Sequence, residues 1–299
     1  CYYADGRSFS LLGKEISYGR MCDHEQTSCS PSWNRPIIIH MIGRLRQGFS
    51  SVKRGNYGKL QQEDVRHFQS LLKEHQVLAD QDSVQPYNKC YLNKYFGQSK
   101  LVLLPETTEQ VSNIMKYCTS KRLAVVPQGG NTGLVGGSVP VFDEIVLSTR
   151  RFNKIENFDT ISGVLSCEAG CILEKTNDEI AKHNYEIPFD LGAKGSCMLG
   201  ANASTHASGK YFIKYGPFRG NILGLEVVLA DGTILDMRSR IRKDNTGIDL
   251  KQLFISSEGT LGIITKLDIN CVKMDLKRQV ILMKTQKFEN ILAAVGKAK

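Results

Sequence analysis

The sequence has no long apolar run, and none of its stretches approaches the roughly 20 apolar residues that a membrane-spanning helix needs. It also has no internal repeat and no low-complexity segment. Hydrophobic residues make up 41% and charged residues 23% of the chain, as in soluble globular proteins. We therefore expect a globular chain without a membrane span, long enough at 299 residues for one large or two ordinary domains.

The cysteines lack the spacing of a zinc site or a disulfide scaffold. Their number, nine, is odd, and their spacing is irregular. Cys167 and Cys171 form the only close pair after residue 30, and CxxxC is neither a redox CxxC nor half of a usual zinc ribbon. We expect reduced, mostly buried thiols and therefore an intracellular compartment.

Acidic residues are absent from Gln26 to Gln62, although six basic residues fall there. Beyond that stretch acids and bases are interspersed, so the net charge of +9 does not predict nucleic-acid binding. A basic, serine-containing leader is typical of a mitochondrial transit segment, and a basic tail of no consequence is the alternative. The chain starts at Cys1, not Met, and we predict no fold for residues 1–55.

A βαβ pattern opens the regular part of the sequence. A helix is predicted over 61–74, and a strand over 101–104 is closed by Pro105. Thr107 and Gln110 have the spacing of a capping box at the start of the next helix, and residues 123–126 form the following strand.

The alternation of strands and helices expected of a doubly wound fold then ends, because a long glycine loop leads into a strand (144–148) and not a helix. Leu223 to Met237 reads as a β-hairpin with a type I′ signal at Asp231-Gly232. Further strands over 164–168 and 262–269 flank a helix over 172–183. We predict an α+β fold of two small sheet-bearing halves with helices outside.

The glycine loop carries the strongest signal for chemistry. It runs from Pro127 to Pro140 and has five glycines within nine residues, so the backbone can approach a ligand closely. Successive amides in such a loop form an anion-binding concavity, to which Asn131, Thr132 and Ser138 add polar side chains. It has no Walker A lysine and no following Rossmann helix. A pyrophosphate is the expected guest, and a flexible surface loop is the alternative.

Two weaker segments follow. Residues 190–209 are rich in small residues, which suits either close packing or a binding site. Residues 254–265 read as a tight turn that enters a buried strand.

Taken in order, the three segments resemble the FAD-binding PCMH-type domain of the vanillyl-alcohol oxidase and p-cresol methylhydroxylase family, over roughly residues 95–275. The stretches 122–145, 190–197, 223–233 and 242–254 are similar to the branch that oxidises D-2-hydroxyglutarate. The resemblance implies a fold of two small α/β subdomains followed by the start of a substrate (cap) domain. It divides the chain into a leader (1–55), a helical lead-in (56–94), the FAD-binding domain (95–275) and the beginning of a substrate domain (276–299).

The resemblance implies a noncovalently held FAD and a mitochondrial matrix enzyme that oxidises D-2-hydroxyglutarate to 2-oxoglutarate. Electron-transfer flavoprotein would accept the electrons. The implied diphosphate-binding residues are Pro127, Gln128, Gly129, Gly130, Asn131, Thr132, Gly133, Leu134, Gly137 and Ser138. The implied residues on the flavin side are Gly195, Ser196, Gly200, Asn202, Thr205 and Gly209, with Glu258 and Gly259 around the remainder.

Catalytic residues and a divalent metal such as zinc are expected only in a C-terminal domain beyond Lys299, so the chain is expected to be inactive as given. A D-lactate or glycolate dehydrogenase, or a degenerate flavin-binding protein, is the alternative.

Four positions depart from the family pattern. Ala201, Ser208 and Ser256 stand where the family has glycine, and His206 stands where it has asparagine. If a replaced glycine needed a positive φ, its side chain would cost about 1–2 kcal/mol. We expect such strain to weaken flavin binding.

Overall fold

A computed structural model describes residues 53–275, 282 and 284–298. The predicted transit segment lies almost entirely outside the described residues, as does part of the region assigned to a second domain. Within these ranges, every helix is too short or too polar to span a bilayer.

The first helix, α1 (Gln62–Leu71), is shorter than predicted. It starts where the Asp64 carboxylate accepts a hydrogen bond from the Gln61 amide at 2.7 Å, and it buries Val65 and Phe68. The chain becomes extended at Leu72 and then forms a separate 3-10 turn (Glu74–Gln76). Strand β1 (Val77–Leu78) and the short helix α2 (Gln81–Val84) follow.

The first sheet contains the predicted βαβ unit, with one strand inserted. Its strands are β1, β2 (Val102–Leu103), β3 (Val125–Gln128) and β4 (Ile145–Ser148), in the order β1-β2-β4-β3. Both β2 and β3 run parallel to β4, and Val146 pairs with a residue of each. Helix α3 (Thr108–Lys121) connects β2 to β3 and packs on the sheet through Val111 and Ile114.

The predicted capping box of α3 is half formed. The Thr107 hydroxyl accepts from the Gln110 amide at 3.2 Å. The Gln110 side chain, however, accepts from the amide of Glu106, not from that of Thr107, at 2.7 Å.

The second sheet is antiparallel, with the order β5-β6-β10-β8-β9. Its strands are β5 (Ile155–Asp159), β6 (Val164–Glu168), β8 (Ile222–Val228), β9 (Ile234–Met237) and β10 (Ile263–Asn270). A separate pair joins β7 (Tyr185–Glu186) to β11 (Val272–Lys273). Helices α4 (Leu173–Ala181), α5 (Leu199–Ser204) and α6 (Phe212–Tyr215) lie between these strands in sequence, and α7 (Phe288–Ala298) ends the described chain.

The β8–β9 hairpin forms as predicted, but its turn is not type I′. A type I′ turn needs positive φ at both central residues, and here Gly232 has φ +83° while Asp231 has no positive φ. The Gly232 amide donates to the Leu229 carbonyl, and the Leu229 amide donates to the Thr233 carbonyl. The loop therefore has three residues, with glycine at its left-handed position.

Buried polar contacts join the two halves. Glu226 of β8 accepts hydrogen bonds from Thr108 of α3 at 2.5 Å and from Thr265 of β10 at 2.8 Å. Val228 and Ile263 of the second sheet also pack in the core of the first. The α+β prediction with two sheet-bearing halves is confirmed. The cysteines within the described residues are buried and free, as predicted: Cys90, Cys118, Cys167, Cys171, Cys197 and Cys271.

Candidate functional site

The glycine loop connects β3 to β4 and keeps its backbone amides unused. Within the described part of the chain, no amide from Gly129 to Ser138 donates a hydrogen bond to a protein acceptor. The Val139 amide, which comes next, does donate, to the Gly136 carbonyl at 3.1 Å. Six of these ten residues are half-buried, and Gly133, Leu134, Val135 and Gly137 are exposed. Successive free amides in such a loop can form an anion-binding concavity.

Polar side chains of the loop hold its shape. Gln128 donates through Nε2 to the carbonyls of Tyr87 (3.0 Å) and Ser138 (2.7 Å). The Ser138 hydroxyl donates to Asn131 Oδ1 at 2.8 Å, and Asn131 Nδ2 donates to the Lys89 carbonyl at 2.8 Å. These contacts tie the two ends of the loop together. Thr132 makes no hydrogen bond to another described residue, and Gly133 and Leu134 are exposed at the tip.

The second small-residue segment packs directly on the loop. A Cβ on Gly130 would overlap the Ser196 carbonyl oxygen, and a Cβ on Gly129 would lie 2.6 Å from Ala201 Cβ. Glycine at both positions is therefore required for this approach. The two segments lie so close together at Gly129 and Gly130 that a side chain would not fit between them.

Other residues of the second segment serve its own packing. Gly200 donates its amide to the Ala169 carbonyl at 2.7 Å and leaves no room for a Cβ there. Asn202 is buried and donates to Cys197 Sγ at 3.4 Å, while the Thr205 hydroxyl donates to the Ala201 carbonyl at 2.8 Å. Gly209 lies against the Asp190 carbonyl. Close packing thus accounts for Gly200, Asn202 and Gly209, whereas Thr205 is exposed and bonds within its own helix. Their contact with a flavin stays a prediction.

The third segment closes the other side of the loop. The Glu258 amide donates to the Ser204 carbonyl at 2.9 Å, which fixes the turn to the end of α5. A Cβ on Gly137 would lie 3.3 Å from Glu258 Oε2, and one on Gly259 would collide with the Pro127 ring. The three segments, far apart in sequence, therefore meet at one place.

Four of the seven described non-glycine residues with left-handed backbone conformations lie in the three segments. Asn131 (φ +52°), His206 (φ +48°), Ser256 (φ +71°) and Glu258 (φ +52°) are non-glycine residues with positive φ. Such conformations cost energy and cluster at ligand-binding sites. The predicted strain is present at Ser256, but Ala201 and Ser208 have no positive φ.

An open cavity of about 1030 Å³ lies beside the junction of the loop and the second segment. Of the predicted residues, Gly130, Gly195 and Ser196 line it, and the others do not. Arg150 and Lys175 also line it, and both are exposed. No sequence motif predicted these two cations, because each lies among ordinary surface residues.

Comparison with known proteins agrees with this geometry. Residues 99–238 match a family model described as an FAD binding domain. The chain is 55% identical over 273 residues to a probable mitochondrial D-2-hydroxyglutarate dehydrogenase of Oryza sativa subsp. indica, covering 89% of the chain and 48% of the relative. It is 49% identical over 270 residues to a putative mitochondrial D-lactate dehydrogenase of Schizosaccharomyces pombe, covering 88% of the chain and 51% of the relative.

The chain thus spans about half the length of the curated relatives it matches. Among solved structures, an alkyldihydroxyacetonephosphate synthase superposes with a TM-score of 0.65 at 21% identity, over 75% of this chain and 42% of that one. At this identity the likeness shows a shared fold.

Proposed function

We propose that this chain, whose residues 99–238 match the FAD binding domain model, forms the flavin-binding part of an enzyme that oxidises a 2-hydroxy acid. The observation that carries the proposal is the run of unpaired amides from Gly129 to Ser138. Two phosphates joined by a bridging oxygen present several acceptor oxygens to such a run, and a loop without lysine can bind them through its backbone amides and polar side chains.

The residues fit this cofactor in two different ways. Gly129, Gly130 and Gly137 let the backbone approach neighbouring segments, so that the amides of the loop stay fixed in position. Gln128, Asn131 and Ser138 maintain the loop through hydrogen bonds. We assign Gly195 and Ser196 to the adjoining wall, and Glu258 and Gly259 to the opposite side. Gly200, Asn202, Thr205 and Gly209 support the wall from behind.

We assign D-2-hydroxyglutarate as the substrate and 2-oxoglutarate as the product, on the strength of the names carried by the rice, Arabidopsis and zebrafish relatives. FAD, when bound, supplies the hydride acceptor of the reaction. This chain's own part is to bind the diphosphate and orient the cofactor. The Schizosaccharomyces pombe relative supports D-lactate as a second candidate substrate. We further propose a mitochondrial location, because the relatives' names include the word mitochondrial, and within it the matrix, with electron-transfer flavoprotein as the acceptor.

Titration of the chain with FAD and with riboflavin tests the cofactor assignment. Riboflavin has the same ring system but no phosphate, so we expect FAD to bind at least tenfold more tightly, with a visible flavin spectrum in the dialysed protein. Equal affinity for both, or protein that stays colourless in FAD, would contradict the proposal. The substrate assignment is tested separately, by the oxidation of D-2-hydroxyglutarate against D-lactate by the full-length protein.

A further inference from the structure

Two cations that line the open cavity beside the glycine loop have no acidic partner. Arg150 and Lys175 line this cavity of about 1030 Å³ together with Gly130 of the loop. Among the described residues, neither side chain forms an ion pair or accepts a hydrogen-bonding partner. The Arg150 guanidinium lies over the Tyr87 ring, 5.9 Å from its centroid, and so keeps all its donors available.

The lining of the cavity has a surplus of positive charge. Among the described residues that line it, Glu179 is the one carboxylate, and Lys182 already pairs with it at 2.6 Å. Arg151, the residue after Arg150, is paired with Glu106 at 3.0 Å. The unpaired cations are therefore those that face the cavity, where a bound anion could reach them.

Backbone packing fixes the Arg150 side of the cavity. Arg150 lies in the 3-10 turn Thr149–Arg151, which directly follows β4. A Cβ on Gly170 would overlap the Thr149 carbonyl oxygen, so this turn packs against the segment between β6 and α4. Gly170 itself lines the cavity. The backbone of Arg150 is thus held at the cavity by a contact that leaves no room for a side chain.

Two backbone hydrogen bonds fix the Lys175 side. The amides of the first two residues of α4 donate to the carbonyls of Cys197 and Lys194, each at 3.1 Å. These carbonyls flank Ser196, whose own carbonyl oxygen lies against Gly130 of the loop. Lys175 is the third residue of the helix. The glycine loop and both cations are therefore arranged around one cavity by backbone contacts.

A guanidinium and an ammonium group bind phosphate oxygens through charge-assisted hydrogen bonds. We infer that Arg150 and Lys175 form a cationic phosphate site that shares Gly130 with the glycine loop. The phosphate belongs either to the FAD diphosphate, for which the cations supply the charge that the loop lacks, or to a second phosphate-bearing ligand beside it. The first source rests on the proposed function, whereas the site itself rests on the cavity and its unpaired cations.

Calorimetric titration of the chain with inorganic pyrophosphate tests this site. The double variant Arg150→Gln/Lys175→Gln removes both charges. The matched control is Arg66→Gln/Lys116→Gln, because it removes the same charge from exposed residues of α1 and α3. We expect the first double variant to bind pyrophosphate at least tenfold more weakly than the wild type, and the control less than twofold more weakly. Equal affinity in the two double variants, or a wild-type chain that does not bind pyrophosphate, would overturn the inference.

Glu179→Gln tests the sign of the effect. It removes a negative charge from the same lining, so pyrophosphate should bind more tightly than to the wild type. A loss as large as that of the double variant would overturn the inference, because the lining would then act through its shape and not its charge. If circular dichroism shows that the double variant does not fold, Arg150→Gln and Lys175→Gln replace it as single variants, each with an expected loss of at least threefold.

Titration of the FAD-saturated chain identifies the source of the phosphate. If FAD abolishes pyrophosphate binding and the double variant also weakens FAD, the site takes the cofactor's diphosphate. If pyrophosphate still binds and still depends on Arg150 and Lys175, the site takes a separate ligand.

Failure of the proposed function can be distinguished from failure of this site. If pyrophosphate binds through the two cations but FAD never binds, the phosphate site stands and the flavin assignment falls. If FAD binds and the double variant binds pyrophosphate as tightly as the wild type, the flavin assignment stands and the phosphate site falls.

Discussion

Gly130 and Ser196 approach each other so closely that a Cβ on the glycine would overlap the serine carbonyl oxygen. The contact joins the glycine loop to the segment that precedes α5, across 66 residues of sequence. Because the obstacle is backbone, which has little freedom to move aside, a side chain at position 130 must displace the loop itself.

Substitution of Gly130 therefore tests whether the loop geometry matters. We expect Gly130→Ala to lower the free energy of unfolding by about 1–3 kcal/mol, the usual cost of overpacking, and to weaken FAD binding at least tenfold. The matched control is Gly192→Ala, because nothing lies within 4 Å of a Cβ there, its φ is not positive and it is not among the residues implied to bind the cofactor. Equal FAD affinity in the two variants, measured by flavin fluorescence, would show that the contact is irrelevant to binding.

Restoring glycine at the three positions where this chain lacks the family's glycine should change the free energy of unfolding differently at each position. Ser256 has φ +71°, so Ser256→Gly relieves strain and should raise the free energy of unfolding by about 0.5–1 kcal/mol. Ala201 lies inside α5, where glycine costs about 1 kcal/mol, and Ser208→Gly should bring no gain. Chemical denaturation measures all three. Stabilisation by Ala201→Gly, or a loss with Ser256→Gly, would argue against the described backbone.

The buried thiols should differ in reactivity. Burial raises the pKa of Cys90, but the amides of Tyr95 and Lys94, which donate to its Sγ at 3.2 and 3.3 Å, outweigh that effect and lower its pKa overall. Burial raises the pKa of Cys118 and of Cys271 to about 12. At pH 7.5 we expect iodoacetamide to modify Cys90 before Cys118 and Cys271, as read by peptide mass spectrometry. Faster labelling of Cys118 would contradict this order.

The basic residues around the Glu106 carboxylate should stabilise the fold at neutral pH, and this stabilisation should be lost in acid. Lys73, then His75 and then the charge of Arg151, lower the pKa of Glu106 from 4.5 to about 2. A depressed carboxyl pKa stabilises the fold above the unfolded pKa, and that contribution is lost as pH falls through the folded pKa. Glu106→Gln should cost about 1 kcal/mol at pH 7, and its difference from wild type should shrink between pH 4.5 and 2.

The control for this cluster is Glu63→Gln. Among the described residues Glu63 forms an ion pair with Lys121 alone, at 3.1 Å, and its side chain is 70% exposed. The free energy of unfolding that Glu63→Gln removes should therefore be close to zero at every pH. A Glu106→Gln cost that stays constant from pH 7 to pH 2 would mean that the lost contacts are not electrostatic.

The sequence predicted local elements better than long-range relationships. The βαβ unit and the β8–β9 hairpin follow from apolar periodicity and from Asp231-Gly232. The insertion of β4 between β2 and β3 does not, because strand order depends on contacts between distant residues. The turn type was wrong because the Asp-Gly pair also suits a three-residue loop with glycine at its end.

In the candidate site, too, the sequence predicted local features better than contacts between distant residues. The glycine loop stood out from its composition, and the structure adds that its amides are unpaired. Gly200 and Gly209 lie against the backbone of Ala169 and Asp190, and their predicted contact with the flavin stays a prediction.

Protection of the loop amides from hydrogen exchange is the most direct measure of the central claim. Mass spectrometry should follow the peptide that spans Gly129 to Ser138 in the free chain, with saturating FAD and with saturating riboflavin. Because these amides have no protein acceptor, they should exchange fast in the free chain and with riboflavin, and at least tenfold more slowly with FAD. If FAD is bound, as its absorbance shows, and exchange in this peptide is unchanged, the backbone does not bind the diphosphate and the account is wrong.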